Sequence, residues 1–454
     1  MNINEAFYRF TRMNRVAHTT LNPRDPGAVR IHLIPPKFRL FGPTPSVCII
    51  NGTDIIPVNR SWAILLNAFI TNVNCYDGDE ISENDMKCIV RKTLATMKMV
   101  YPKTSKKKFE DDLWKIIESF CNIAEGKPPT QEIGYMTIGE YAPLMNAPHR
   151  MDLMVSAMIK NGIWHCNQKC VHCYAAGQPQ SEVEELSTDE WKQIIDKCRK
   201  VGIPQLTFTG GEPTMRPDLC ELIRYSLWFV TRLNTNGVNL TPEYCKELYK
   251  CNLDSVQITF YSAEEEVHNK LVGAKNFSKT LDGIKNALDA GLNVSINTPL
   301  CKINSNYVET LKMLHKLGIK YVSCSGLIIT GNACNDESKS TQLNEDELFN
   351  ILEEAVNFCA DNQMEISFTS PGWISEEKLS KLQLVVPTCG ASLSNMAITP
   401  NGKVVPCQSW LSECVLGDFL KDSWQKIWNS HRCAEIRNDS SRMEGKCPLN
   451  DKED

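Results

Sequence analysis

The chain has 454 residues, enough for two or three domains, with 42% hydrophobic and 23% charged residues. Its 49 Lys and Arg against 54 Asp and Glu leave a net charge of −5, which gives no electrostatic reason to expect nucleic acid or an anionic membrane as partner. No apolar run approaches the roughly 20 residues of a membrane span, and Met1 to Arg15 lack the apolar core of a secretory signal, so a cytoplasmic location is expected.

In chain order, residues 1–35 show no clear periodicity and are expected to form an irregular arm. Residues 36–126 give short strands and then helices. Strands are expected at 38–41 (Phe38-Arg39-Leu40-Phe41) and 46–50; Asn51-Gly52 is a hairpin signal, and 54–58 is the returning strand. Helical patterns follow at 60–71, 83–99 and 107–123. The breaker cluster from Gly126 to Pro129 opens a linker, 127–146. Residues 147–385 alternate strands (153–159, 205–209, 231–235, 255–260, 293–298, 321–327) with helices (188–201, 217–229, 242–251, 278–290, 306–317). Ser187 and Glu190 have capping-box spacing before the first of these helices. Six strands separated by helices predict an α/β fold, a partial parallel (β/α)6 barrel with right-handed crossovers. Its site is expected at the C-terminal ends of the strands. A helix at 344–362 and a strand at 364–369 close this core. Residues 386–454 are expected to form a small cysteine-rich domain.

Twenty cysteines are unusual for a chain of this kind, and without a secretory signal they point to metal binding or catalysis rather than disulfides. Cys198, Cys220, Cys245, Cys251 and Cys359 are scattered along helical stretches and are expected to be ordinary core thiols. Cys166, Cys170 and Cys173 are different: they crowd into one loop after the first core strand. Three thiolates fill three corners of a cubane cluster and leave one iron open for a small molecule. By spacing alone, zinc with His172 as fourth ligand is an equal alternative.

The spacing Cys-x-x-x-Cys-x-x-Cys, with His172 before the third cysteine and Tyr174 after it, resembles the radical S-adenosylmethionine (SAM) superfamily. The second core strand ends in Thr209-Gly210-Gly211-Glu212-Pro213, similar to that family's Gly-Gly-Glu motif. The resemblance covers roughly residues 151–327. It implies a [4Fe-4S] cluster on Cys166, Cys170 and Cys173, with SAM chelating the open iron. An electron then splits SAM into methionine and a 5′-deoxyadenosyl radical. It further implies SAM contacts at Gly210, Gly211 and Glu212, at Thr235 and Asn236, and at Ser262, Asn297, Thr298 and Ile328. Cys301, Cys324, Cys334 and Tyr261 fall near strand ends as candidate hydrogen donors.

Towards the C-terminus, Cys389, Gly402 and Cys407 flank a turn, Pro400-Asn401-Gly402-Lys403, between two apolar segments. A hairpin there brings the two cysteines together. The pattern resembles the SPASM and twitch extensions of radical SAM enzymes, which bind auxiliary iron–sulfur clusters. The family's final run of four cysteines is missing: Asn450 stands where a second cysteine after Cys447 is expected. The resemblance therefore implies one auxiliary cluster, on Cys389, Cys407 and Cys447 with Cys414 favoured over Cys433; a zinc site from the same cysteines is the alternative.

Residues 36–126 resemble the small winged-helix-like modules that bind leader peptides by strand addition; a lid or dimerisation domain is the alternative. Together the parts imply a maturase of ribosomally made precursor peptides. It would use a reducing partner such as flavodoxin or ferredoxin, and produce a cross-link, an epimerised residue or another oxidation. Rival readings are a maturase of a folded protein or of a small-molecule cofactor precursor, radical methyl transfer, and a non-catalytic zinc-binding regulatory protein.

Overall fold

The structure, a computed structural model, describes residues 3–21, 29–36, 38–39, 42–76, 81–412, 414–442 and 446–449. It divides into two compact units. One comprises Met1–His149, Asp196–Gln205 and Trp228–Val230; the other comprises Arg150–Ile195, Leu206–Leu227 and Thr231–Asp454.

The first unit is built on an antiparallel sheet of β1 (Ala17–Leu21), β2 (Val29–Ile34), β3 (Ser46–Ile50) and β4 (Asp54–Val58), in that order. Asn51 and Gly52 both take positive φ, 46° and 75°, as the tight turn between β3 and β4 requires. Three helices follow, Arg60–Val73, Glu83–Val100 and Lys106–Ala124, each opened by a polar cap: Asn59, Ser82 and Ser105. Ile31, Leu33, Cys48, Ile50 and Ile56 from the sheet pack against Ile64, Leu65, Phe69, Leu113, Ile116 and Phe120 from the helices.

The expected irregular arm at 1–35 is a correction: it holds a helix, Ile3–Arg12, and strands β1 and β2. The period was hidden for physical reasons. Every residue of β2 is buried, Arg30 and His32 included. The helix inverts the usual pattern, burying Glu5 and Arg9 while exposing Ile3 and Phe7. Of the strand expected at 38–41, Phe38–Arg39 is a two-residue strand; Leu40 and Phe41 lie outside the described residues.

The second unit is built on the barrel sheet. Its strands are β5 (Arg150–Ser156), β6 (Gln205–Gly210), β7 (Val230–Thr235), β8 (Ser255–Thr259), β9 (Val294–Pro299), β10 (Tyr321–Ser325), β11 (Glu365–Phe368), β12 (Asn395–Ile398), β13 (Lys403–Val405) and β14 (Gly417–Asp418). The order is β11-β10-β9-β8-β7-β6-β5-β12-β13-β14, so the sheet curls without closing. The pairs from β7 to β11 are parallel. The helices Thr188–Val201, Leu219–Tyr225, Pro242–Lys250, Phe277–Asp289 and Tyr307–Lys316 alternate with these strands in the chain. The strand expected after the six is a seventh parallel member, β11. An unexpected short helix, Glu265–Val272, precedes Phe277–Asp289.

The C-terminal segment continues the core sheet instead of standing apart. β12 pairs in parallel with β5, Asp152 opposite Ala397, and β13 and β14 add antiparallel strands. Along the strands, one face is apolar and buried: Leu206, Phe208, Leu233, Val256, Ile258, Ile296 and Val322. The other carries Thr207, Thr209, Arg232, Asn234, Gln257, Ser295, Asn297 and Ser323. A closed eight-stranded barrel fills its centre with branched apolar side chains; this one keeps a polar lumen.

Candidate active site

The three-cysteine loop follows β5 and is pinned from several sides. Lys169 and Val171 donate their backbone N–H groups to the carbonyls of Val272 and Leu271, at 3.0 and 2.9 Å. Gly273 has φ 63°, and a Cβ there would lie 2.2 Å from the Lys169 carbonyl oxygen, so only glycine permits this approach. Asn332 donates its backbone N–H to the Cys173 carbonyl at 2.9 Å and its side-chain amide to the Cys170 carbonyl at 3.1 Å. Ser338 donates to the Val171 carbonyl at 3.1 Å. This clamp from 331–338 has no signature in the sequence beyond an ordinary turn.

The thiols of Cys166, Cys170 and Cys173 share one neighbourhood with Glu212. Burial pushes Cys166 up to about 12 and raises Cys170 and Cys173 as well; the neighbouring charges add to this for Cys166 and Cys170. Metal binding requires thiolates, so a cationic cluster would have to supply the compensating charge. The Nε2 of His172 meets the Thr341 hydroxyl at 2.9 Å, while its Nδ1 is buried without a hydrogen-bond partner. Among the described residues, no three His, Cys, Asp or Glu side chains close around a single-ion position.

The Gly-Gly-Glu turn sits against the loop. The Cys166 thiol donates to the Gly211 carbonyl at 3.5 Å. Gly210 has φ 138°, and a Cβ would come within 2.3 Å of the Ser156 carbonyl oxygen. Gly211 donates its N–H to that same oxygen at 2.8 Å. Glu212 is buried, and burial raises its carboxyl above the ordinary range. Its Oε1 accepts from the Thr214 N–H at 3.0 Å, the Thr214 hydroxyl at 2.6 Å and the Thr235 hydroxyl at 2.7 Å. Its Oε2 accepts from the Asn236 N–H at 2.9 Å. Asn236 donates in turn to the Asn167 side-chain oxygen at 2.5 Å. One chain of bonds thus runs from the cysteine loop through the end of β7 to the carboxylate.

The other expected contacts divide. Ser262 is buried and accepts from the Glu264 N–H at 3.0 Å. Asn297 faces the lumen and accepts from the Ser323 hydroxyl at 3.0 Å. Ile328 is half-buried just past β10. Thr298 lies on the opposite face of β9: it is fully buried, and its hydroxyl donates to the Phe260 carbonyl at 2.8 Å and meets Tyr307 of the helix layer. Tyr261 and Cys301 pack in an apolar cluster with Cys170, whereas Cys324 shares Thr298's face and Cys334 is exposed.

A second thiol group forms beyond the β12–β13 hairpin. Cys447 hydrogen-bonds to Cys389, drawing that thiol down. Ser440 also donates to Cys389, at 3.6 Å. Cys407 stands beside them, pushed up to about 12 chiefly by burial. Cys414 belongs to the same apolar cluster as Cys389 and Cys407, but its thiol meets Arg432 and lies near Cys433. Asn450 lies outside the described residues.

Residues 165–314 match the radical SAM superfamily, and residues 389–449 match the SPASM iron–sulfur cluster-binding domain. The chain therefore carries a radical SAM domain, which binds a [4Fe-4S] cluster and SAM, and a SPASM domain, which binds auxiliary iron–sulfur clusters. It is 27% identical over 302 residues to the AdoMet-dependent heme synthase of Methanosarcina barkeri, covering 63% of this chain and 85% of that protein. It is likewise 27% identical over 278 residues to the PqqA peptide cyclase of Bradyrhizobium diazoefficiens, covering 60% and 70%. Among solved structures, Streptococcus suis SuiB bound to S-adenosylmethionine shares the fold, with a TM-score of 0.59 at 14% identity over 89% of this chain and 93% of that one.

Proposed function

We propose that this enzyme splits SAM reductively at a cluster held by Cys166, Cys170 and Cys173, and modifies a ribosomally made precursor peptide by hydrogen abstraction. The observation that carries the SAM half is the bonded run Cys166–Gly211 and Glu212–Asn236–Asn167. Glu212 Oε2 accepts one bond and retains a lone pair for an ammonium group. Gly210 and Gly211 hold that carboxylate against the cysteine loop. When bound, the cluster supplies the electron that releases the 5′-deoxyadenosyl radical. Thr235 and Asn236 fix the carboxylate, while Ser262, Asn297 and Ile328 offer polar and apolar contacts for the rest of SAM. Thr298 is left out, because its hydroxyl faces away from the lumen.

Cys389, Cys407 and Cys447 are assigned to one auxiliary cluster, with Cys414 as the nearby fourth thiol. The N-terminal sheet and helices are assigned to leader recognition. A leader strand adding to β4 must displace the 2.8 Å bond that Met136 donates to the Ile55 carbonyl. Flavodoxin or ferredoxin would supply electrons. The peptide assignment draws on PqqA peptide cyclase and on SuiB, also solved with its precursor peptide SuiA. A second reading, a small-molecule cofactor precursor as substrate, is favoured by the heme synthase match.

The test is the mass of short peptides encoded beside this gene, before and after anaerobic incubation with reconstituted enzyme, reductant and SAM in deuterated buffer. Loss of two hydrogens means a cross-link or desaturation; gain of one deuterium means epimerisation. Unchanged peptides with deoxyadenosine still formed would sink the peptide reading and leave the small-molecule one.

A further inference from the structure

The lumen of the second unit is lined in rows. The register sets Asn234, Gln257, Ser295 and Tyr321 side by side, and Thr259, Asn297, Ser323 and Ser367 in the next row. Some of these groups satisfy one another: Gln257 donates to Ser323 at 3.3 Å, and Ser323 donates to Asn297 at 3.0 Å. Others do not. Thr207 Oγ1, Asn234 Oδ1 and Ser295 Oγ are buried atoms without a hydrogen-bond partner, and Thr207 is only 2% exposed. A buried polar atom left unpaired costs roughly 1–3 kcal/mol, so several on one face call for a ligand that completes them.

The charges point to the kind of ligand. Asp152, 1% exposed on β5, is held in two places by Arg150: Nε to Oδ1 at 2.8 Å and Nη2 to Oδ2 at 3.3 Å. Arg232, half-buried on β7, lies in the field of both. Among the described residues it makes no ion pair or side-chain hydrogen bond of its own. Two guanidinium groups therefore share one carboxylate, and that carboxylate is already engaged by Arg150. Glu365, in the same row as Tyr321, is exposed on β11, four strands from Arg232. The inner end of the lumen is short of one negative charge, and a planar guanidinium can hold a carboxylate through two parallel hydrogen bonds.

We infer that the lumen holds a carboxylate-recognition subsite centred on Arg232, lined by Thr207, Asn234 and Ser295, which takes a carboxylate of the substrate. The inference rests on the proposed reading for the use of this chamber and adds the substrate's chemical class. The carboxylate of SAM is the other possible source. It is disfavoured because Arg232 lies three residues before Thr235, about 10 Å back along the strand from the Glu212 network.

The test is arginine labelling of the reconstituted full-length protein with phenylglyoxal, mapped by peptide mass spectrometry, with glutarate, glutaramide or SAM added separately. Glutarate at ten times its Kd is expected to slow Arg232 labelling about tenfold, because protection follows 1 + [L]/Kd. Glutaramide and SAM alone are expected to leave the rate unchanged. Asp152→Asn removes the competing carboxylate and is expected to strengthen protection by glutarate. Equal protection by glutaramide, or none by glutarate, would overturn the subsite; protection by SAM alone would assign Arg232 to the SAM carboxylate instead. Labelling needs no turnover, so the result stands whether or not any peptide is modified.

Discussion

At the residue scale, the site depends on a few positions where chemistry leaves little choice. Glu212 combines burial with four accepted hydrogen bonds, so its charge is held by the fold and not by solvent. Glu212→Gln keeps the shape but turns an amide toward the Asn236 N–H or the Thr235 hydroxyl. Loss of a charged acceptor of this kind costs roughly 1.5–3 kcal/mol, so SAM affinity should fall about 10- to 150-fold, read by equilibrium dialysis on the reconstituted protein. Gly210→Ala acts on folding instead. Its Cβ would meet the Ser156 carbonyl at 2.3 Å with φ at 138°, so denaturant unfolding should show a loss of about 2–4 kcal/mol. A loss below about 0.5 kcal/mol, the range of ordinary surface substitutions, would mean the turn relaxes freely.

At the scale of elements, β2 makes a prediction about pH. His32 is fully buried beside His18, Arg30 and Trp228, and burial pushes it down to about 3. The unfolded chain therefore binds a proton that the folded chain refuses. Stability from this group is present above pH 6.5 and is lost as pH falls toward 3. Between pH 7.5 and 5.5 the loss is about 1.4 kcal/mol. His32→Phe, which keeps a ring against Trp228, should reduce that dependence in thermal unfolding and leave the share of His18, which burial also pushes down; an unchanged slope would contradict it. Strands with clean alternation, such as β7 through β10, were legible because one face is apolar and the other polar. β2 was not, because both of its faces are buried. The clamp at 331–338 was illegible for another reason: Asn332 and Ser338 act on carbonyls some 160 positions away, and nothing local marks that. The parity of Thr298 was readable, since Ile296 precedes it by two, but its position at a strand end drew it into the contact set.

At the scale of the whole molecule, the chain holds two clusters of thiols on loops attached to one continuous sheet, and their cysteines should be separable by substitution. Replacing Cys389, Cys407 and Cys447 with Ala is expected to lower bound iron while leaving SAM binding in place. Replacing Cys166, Cys170 and Cys173 should abolish SAM binding. Iron analysis and dialysis distinguish the two. The sequence marked all six positions through spacing. It did not reveal that β12 would pair with β5, because strands of four and seven residues more than 200 positions apart carry no mutual signal. In the proposed reading, Cys166, Cys170, Cys173 and Glu212 form one SAM-cleaving centre. The most direct test is anaerobic formation of 5′-deoxyadenosine and methionine from SAM by reconstituted protein with a strong reductant, followed by chromatography. Equal amounts of both products from the wild type, with none from the Cys166/Cys170/Cys173→Ala variant, are predicted. A wild-type protein that carries its cluster and binds SAM but releases neither product would contradict the account.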